Sequence, residues 1–203
     1  FLIIVLLFSS CLSIASESIA GEKERGTIAT LLITPVKRSS IALGKIFAIS
    51  VTAFVGAIAN FIGLVAALPK LVAGANLSMS MYNVGSYVGL LFIIVSTVLI
   101  FIAILSIIST FAKSVKEASS YSIPVMLLVM LIAATSLIGK SNSQTITYFI
   151  PIYNSVQAMG AILSLNFNPI NFAITIITNL AIFALGIVIL SKMFNSEKIM
   201  FNA

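Results

Sequence analysis

The sequence has no histidine, no aspartate, no tryptophan and one cysteine, and only 8% of its 203 residues are charged. Each scarcity removes a chemistry. Without histidine and aspartate there can be no Ser-His-Asp triad, no HExxH zinc site and no paired-aspartate protease. Cys11 has no second thiol with which to form a disulfide or a thiolate metal cage. Catalysis by this chain alone is therefore not expected, and neither is a metal or cofactor bound by it. The low charge also excludes a soluble domain. With 60% hydrophobic residues and a mean hydropathy of +1.21, the chain has more apolar surface than a fold of this length can bury, and too few charges to coat one.

What is present is a set of long apolar runs. A spanning helix needs about 20 mostly apolar residues, and five stretches meet or approach that length: 1–15, 41–68, 86–112, 121–138 and 171–191. They are too long and continuous for barrel strands, which alternate over about ten residues. The expected fold is an all-α polytopic membrane protein, one transmembrane domain over 1–203. The first run starts at Phe1 without a basic n-region or a small-residue cleavage site, so it does not resemble a signal peptide. It reads as the end of a spanning helix continued from a longer parent chain.

Orientation follows from lysine and arginine, which favour cytoplasmic loops. If the loop 16–40 is cytoplasmic, so are Lys23, Arg25, Lys37, Arg38, Lys45, Lys113, Lys116, Lys192 and Lys198, leaving Lys70 and Lys140 outside. This predicts a multi-pass protein of a bacterial or archaeal cell membrane with its C-terminus in the cytoplasm. The net charge of +6 is then a topology signal, and no nucleic-acid partner is expected. Gly139-Lys140-Ser141 looks like the tail of a phosphate-binding loop, but Ala134 stands where the first glycine should be. It is read as a chance match, so any ATP must be bound by another chain.

The ionic residues concentrate in one insert. Ser16–Lys45 holds three of the five acidic residues and five of the eleven basic ones. Glu17, Glu22, Lys23, Glu24 and Arg25 are followed by Ile28, Leu31 and Leu32 at helical spacing, which predicts one amphipathic helix lying on the membrane surface. Pro35 should end it, with Thr34 capping a new turn. An ordinary positive-inside loop accounts for the same composition.

The order of residues adds a resemblance. Glu17, then Glu22-Lys23-Glu24-Arg25-Gly26-Thr27, then Leu31-Leu32-Ile33-Thr34-Pro35-Val36-Lys37-Arg38, then Gly44-Lys45 closely resembles the cytoplasmic loop of the ABC-2 class of ABC transporter permeases, most of all the sodium-efflux branch called NatB. Pro151-Ile152-Tyr153-Asn154 and Phe194-Asn195-Ser196-Glu197-Lys198-Ile199 also look like that branch. The resemblance implies the last five of six helices. It also implies a coupling helix that docks on a separate cytosolic ATPase, with ATP and Mg2+ held by that subunit. Glu17, Glu22, Lys23, Glu24, Arg25, Gly26 and Thr27 match the motif and are the expected contacts. Alternating charges on a short helix give partner-specific ion pairs, and the flanking spans can carry a tilt through the membrane. The expected partners are that ATPase, the lipid bilayer and a second permease chain.

The second charged loop, 112–120, carries Lys113, Lys116 and Glu117 and reads as a turn between spans or a minor ATPase contact. Pro124 is expected in the first turn of the next span. No ionisable residue occupies the middle of a span, which argues against a carboxylate relay. A cation path would have to use amides, hydroxyls and carbonyls. Asn60, Ser96, Thr97 and Asn179 are the leading candidates, with Ser106, Ser109, Thr110 and Thr135 completing the inventory; interhelical hydrogen bonding is the alternative role. Ala53, Gly56, Ala57, Asn60, Gly63 and Ala67 line one side of the second run, and Gly85/Gly89 form a GxxxG, faces that allow close helix approach.

The segment 139–169 is too long for a tight turn and too apolar for a solvated loop. Its pattern around Pro151 predicts two short helices at the outer leaflet, and the family resemblance implies a re-entrant hairpin there, either a gate or an anchor through Tyr148 and Tyr153. The functional expectation is the membrane subunit of an ATP-driven exporter, with Na+ the cargo by resemblance. Drug, peptide or lipid export, and a non-translocating anchor or sensor that recruits an ATPase, are the alternatives.

Overall fold

Inside a bilayer every backbone N–H and C=O must find a partner within the protein, so apolar runs of this length fold as helices. A computed structural model describes residues 1–32, 34–73, 82–138 and 145–196. In chain order these form α1 (Leu2–Ala15), a π-helical turn (Ser16–Ala20), α2 (Gly21–Glu24), α3 (Thr27–Leu32), α4 (Arg38–Ala73), α5 (Val84–Phe111), α6 (Val115–Ala134), α7 (Tyr153–Leu163) and α8 (Pro169–Asn195). Short 3-10 turns occupy Thr135–Ile138 and Thr145–Phe149, and there is no strand among the described residues. Among the described residues, five segments are long and apolar enough to cross a membrane: Leu2–Glu24, Arg38–Ala67, Val84–Phe111, Val115–Ala134 and Pro169–Asn195. The protein is an all-α polytopic membrane protein.

α5 is the axis of the bundle. It packs against α1, α4, α6, α7 and α8, and 61% of its apolar stretch is buried, against 22% for α4, α6 and α8. α1 buries Ile4, Leu7, Phe8, Cys11 and Ala15, a stripe at three- and four-residue spacing. Phe8 stands edge-on to Phe101 with ring centroids 5.3 Å apart, a favoured aromatic arrangement. α8 approaches α5 most closely at Gly186, where an added Cβ would lie 2.6 Å from the Ala103 Cβ.

α6 and α8 start with side-chain caps. Ser114 accepts the Glu117 N–H at 3.2 Å while the Glu117 carboxylate accepts the Lys113 N–H at 2.7 Å, a capping arrangement that starts α6. Asn168 accepts the Ile170 N–H at 3.0 Å, with Pro169 in the first turn of α8. α7 ends in a Schellman motif, Asn166 N–H to the Ala161 carbonyl at 2.8 Å and Leu165 N–H to that of Ile162 at 3.1 Å, with Leu165 at φ 59°.

Several sequence expectations change. The charged residues do not lie in one surface helix: Leu2–Glu24 is a continuous rod, so Glu17–Glu24 prolong the first span beyond its apolar part. Gly21 is helical, and the break falls at Gly26, whose φ of +73° suits glycine alone. No helical turn follows Pro35; Val36 N–H bonds the Thr34 carbonyl at 2.7 Å, and α4 starts at Arg38. Pro69 lies within α4 and Pro124 in the interior of α6, both helices being longer than their apolar cores. The lysine tail Gly139-Lys140-Ser141, and Glu197, Lys198 and Ile199, lie outside the described residues.

Candidate functional site

Lys23, Arg25, Lys37, Arg38, Lys45, Lys113, Lys116 and Lys192 all belong to segments at one end of the bundle, the charged end. There the rod of α1 and α2 is tied to three other helices. Lys23 Nζ donates to the Thr110 carbonyl at 2.5 Å, near the C-terminus of α5. Glu24 accepts the Val115 N–H at 2.9 Å, at the N-terminus of α6. A cation at a helix C-terminus and an anion at a helix N-terminus both oppose the local dipole charge, so adjacent residues of opposite sign clamp the α5–α6 turn. Glu22 pairs with Lys45 of α4.

A second ion pair lies within the rod. Arg25 Nη1 lies 2.7 Å from Glu17 Oε1, and both side chains are more than half exposed, at 57% and 58%. The pair runs across Gly21, where a Cβ would meet Arg25 Nη2 at 3.2 Å and Glu17 Cδ at 3.3 Å. Gly26 and Thr27 end the rod: the Gly26 N–H takes the Lys23 carbonyl at 3.0 Å and the Thr27 hydroxyl the Glu22 carbonyl at 3.2 Å. Of the seven motif residues, Glu17, Glu24, Arg25, Gly26 and Thr27 are exposed, and Glu22 and Lys23 are half-buried.

The second constellation is a buried polar knot in the other half of the bundle. Asn179 of α8 donates to Ser96 Oγ of α5 and to Ser155 Oγ of α7, both at 3.0 Å, and its Oδ1 accepts from Asn154 Nδ2 at 2.9 Å. Asn154, Ser155 and Asn179 have no exposed surface and Ser96 almost none. The knot therefore bolts α7 to α5 and α8. It brings together two of the four path candidates, Ser96 and Asn179. Thr97 is buried but bonds only its own helix, at the Ile93 carbonyl 2.6 Å away. Asn60 is not among the bonded residues of the knot and donates to Gly56 O at 2.9 Å, within its own helix.

Asn60 instead lines a largely apolar cavity of about 940 Å³ between α1 and α4, walled also by Leu2, Leu6, Gly63, Ala67 and Leu163. Tyr148 is buried and Tyr153 half-buried. Tyr82 closes this end by donating to the Leu163 carbonyl at 2.5 Å. No group of three or more metal-ligating acidic, thiol or imidazole residues exists among the described residues.

Sequence reasoning missed Asn154 and Ser155, although an amide and a hydroxyl side by side in an apolar stretch were a usable signal. Asn171, Thr175 and Asn179, four residues apart and all buried, mark the polar stripe of α8 in the same way. The Lys23 and Glu24 ties had no such signal, because their acceptor and donor are backbone groups about ninety residues away.

The comparisons with known proteins agree with this architecture. The model of the family described as ABC-2 family transporter protein matches residues 1–193. The chain is also similar to the ABC transporter permease protein NatB of Bacillus subtilis (strain 168), 28% identical over 163 residues, which cover 78% of this chain and 42% of that protein. The chain thus matches less than half the length of that relative. Five apolar spans with a charged end, and a family match over nearly the whole sequence, place this chain in the ABC-2 transporter family.

Proposed function

We propose that this chain is the permease of an ATP-driven exporter, with a separate cytosolic ATPase binding ATP and Mg2+ and docking at the charged end. The supporting observation is mechanical. The segment Glu17–Glu24 is a rigid prolongation of the first span, clamped to the α5–α6 turn by Lys23 and Glu24 and to α4 by Glu22. A push delivered at the exposed Glu17 and Arg25 would enter four spans without passing through a flexible loop. The charged end is cytoplasmic in this reading, which follows from its basic residues. A second permease chain completes the pathway.

The cargo in this reading is Na+, carried over from the resemblance to the sodium-efflux branch. Its ligands would be amide and hydroxyl oxygens such as those of Ser96 and Asn179, since no charged group faces them in the knot. Export of a drug- or lipid-like amphiphile is the second reading, favoured by the 940 Å³ apolar cavity beside Asn60. The test is ATP-dependent efflux of radiolabelled Na+, in parallel with a fluorescent amphiphile, from vesicles holding the full permease and its ATPase. Na+ flux supports the first reading and amphiphile flux the second. Bound ATPase with neither flux would overturn both in favour of an anchor.

A further inference from the structure

Ser109 is a buried hydroxyl that the docking reading leaves unused. It projects from α5 into the π-helical turn of the rod, where it accepts the Ala20 N–H at 3.0 Å and donates to the Ala15 carbonyl at 3.1 Å. These two backbone groups are five residues apart. Beside them, the Gly21 N–H reaches back five residues to the Ser16 carbonyl. A hydroxyl inserted into a helix ladder is one of the few devices that hold such a turn open. The opening is not a surface effect, because Ser16, Ile19, Ala20 and Ser109 are all buried.

The consequence is rotational. An extra residue in one turn rotates everything beyond it by about 100° relative to an unbroken α-helix. Lys23 and Glu24 meet the Thr110 carbonyl and the Val115 N–H only in the rotated register. In the unrotated register they would point about a quarter turn away, Ile19 would leave the core, and the exposed Glu17–Arg25 pair would change its bearing. Ser109 lies one residue from Thr110, so the same stretch of α5 supplies both the wedge and the first clamp.

We infer that Ser109 is a positioning residue that fixes the rotational register of the charged segment, and with it the face offered to the ATPase. The second clause rests on the docking reading above; the first does not. The inference goes beyond the motif itself, because Ser109 is buried and lies on another helix.

The test uses the full permease with its ATPase. Cys introduced as Ile19→Cys, at a fully buried position and in a Cys11→Ala parent, is probed in open membranes with a maleimide. It stays protected in the parent. Added Ser109→Ala raises labelling at least tenfold and lowers transport per ATP hydrolysed by a similar factor, whereas Ser109→Thr, which retains the hydroxyl, restores both. If Ser109→Ala does not accumulate, Ser109→Val, which also lacks the hydroxyl and adds no thiol, is read in the same way. Unchanged protection in the substituted protein overturns the register claim. Raised labelling with unchanged coupling overturns its link to docking. Absence of ATPase binding by the parent would remove the docking reading, while the labelling still judges the register.

Discussion

Replacing Gly186 by alanine tests the seam that holds α8 on α5. The new methyl would sit 2.6 Å from Ala103 Cβ and 3.5 Å from Ala103 Cα. Carbon atoms rest at about 3.5–4.0 Å, so the helices must part locally by about 1 Å. The obstacle is a Cβ attached to helical backbone and cannot swing away. Overpacking of this kind costs about 1–3 kcal/mol, which for a chain of this size lowers the melting temperature by about 2–12 °C. Asn179 lies two turns from Gly186 on the same helix, so the separation also lengthens its 3.0 Å bond to Ser96. Thermal unfolding in detergent reads the loss. The compensating change Ala103→Gly, combined with Gly186→Ala, moves the methyl to the other helix and should recover most of the stability. An unchanged melting temperature in Gly186→Ala, or a double variant no better than the sum of the two singles, would refute close packing here.

Leu165→Gly should raise the melting temperature, because Leu165 sits at φ 59° and is 38% exposed, so the left-handed strain of about 1 kcal/mol is relieved with little packing lost; a lower melting temperature counts against that geometry. Asn179→Leu removes three interhelical hydrogen bonds and should destabilise the protein by about 1–2 kcal/mol, with faster hydrogen exchange in Tyr153–Leu163. Unaltered exchange there would mean that α7 is held by its apolar face alone.

The fold class was legible because membrane spans are written in apolar length, and the five runs each correspond to a helix. Their ends were less legible. α6 begins at Val115, ahead of its apolar core, because Ser114 and Glu117 cap it, and Pro124 is accommodated within it. Composition also could not show that the charged insert continues the first span: the same residues pattern equally well as a surface helix. What decides is tertiary. The Ser109 wedge and the α5–α6 turn hold Ser16–Glu24 upright, and Gly26, not Pro35, ends the rod. In the polar knot, Ser96 and Asn179 were recoverable as polar residues in apolar helices. Their pairing with Asn154 and Ser155 was not, since it needs the chain to return from 154 to 179 across the bundle.

The central claim, that the exposed face of the charged segment is where an ATPase engages, is tested most directly by exchanging its exposed Glu17–Arg25 ion pair. Glu17→Arg together with Arg25→Glu retains an attraction across Gly21 and leaves Glu22, Lys23, Glu24 and Ser109 untouched, while reversing the charges a partner meets. The measurement is the amount of ATPase co-purified with the full permease from detergent-solubilised membranes. A normally accumulated permease that retains at most a tenth of the parental ATPase is the predicted result. Parental ATPase recovery would contradict it.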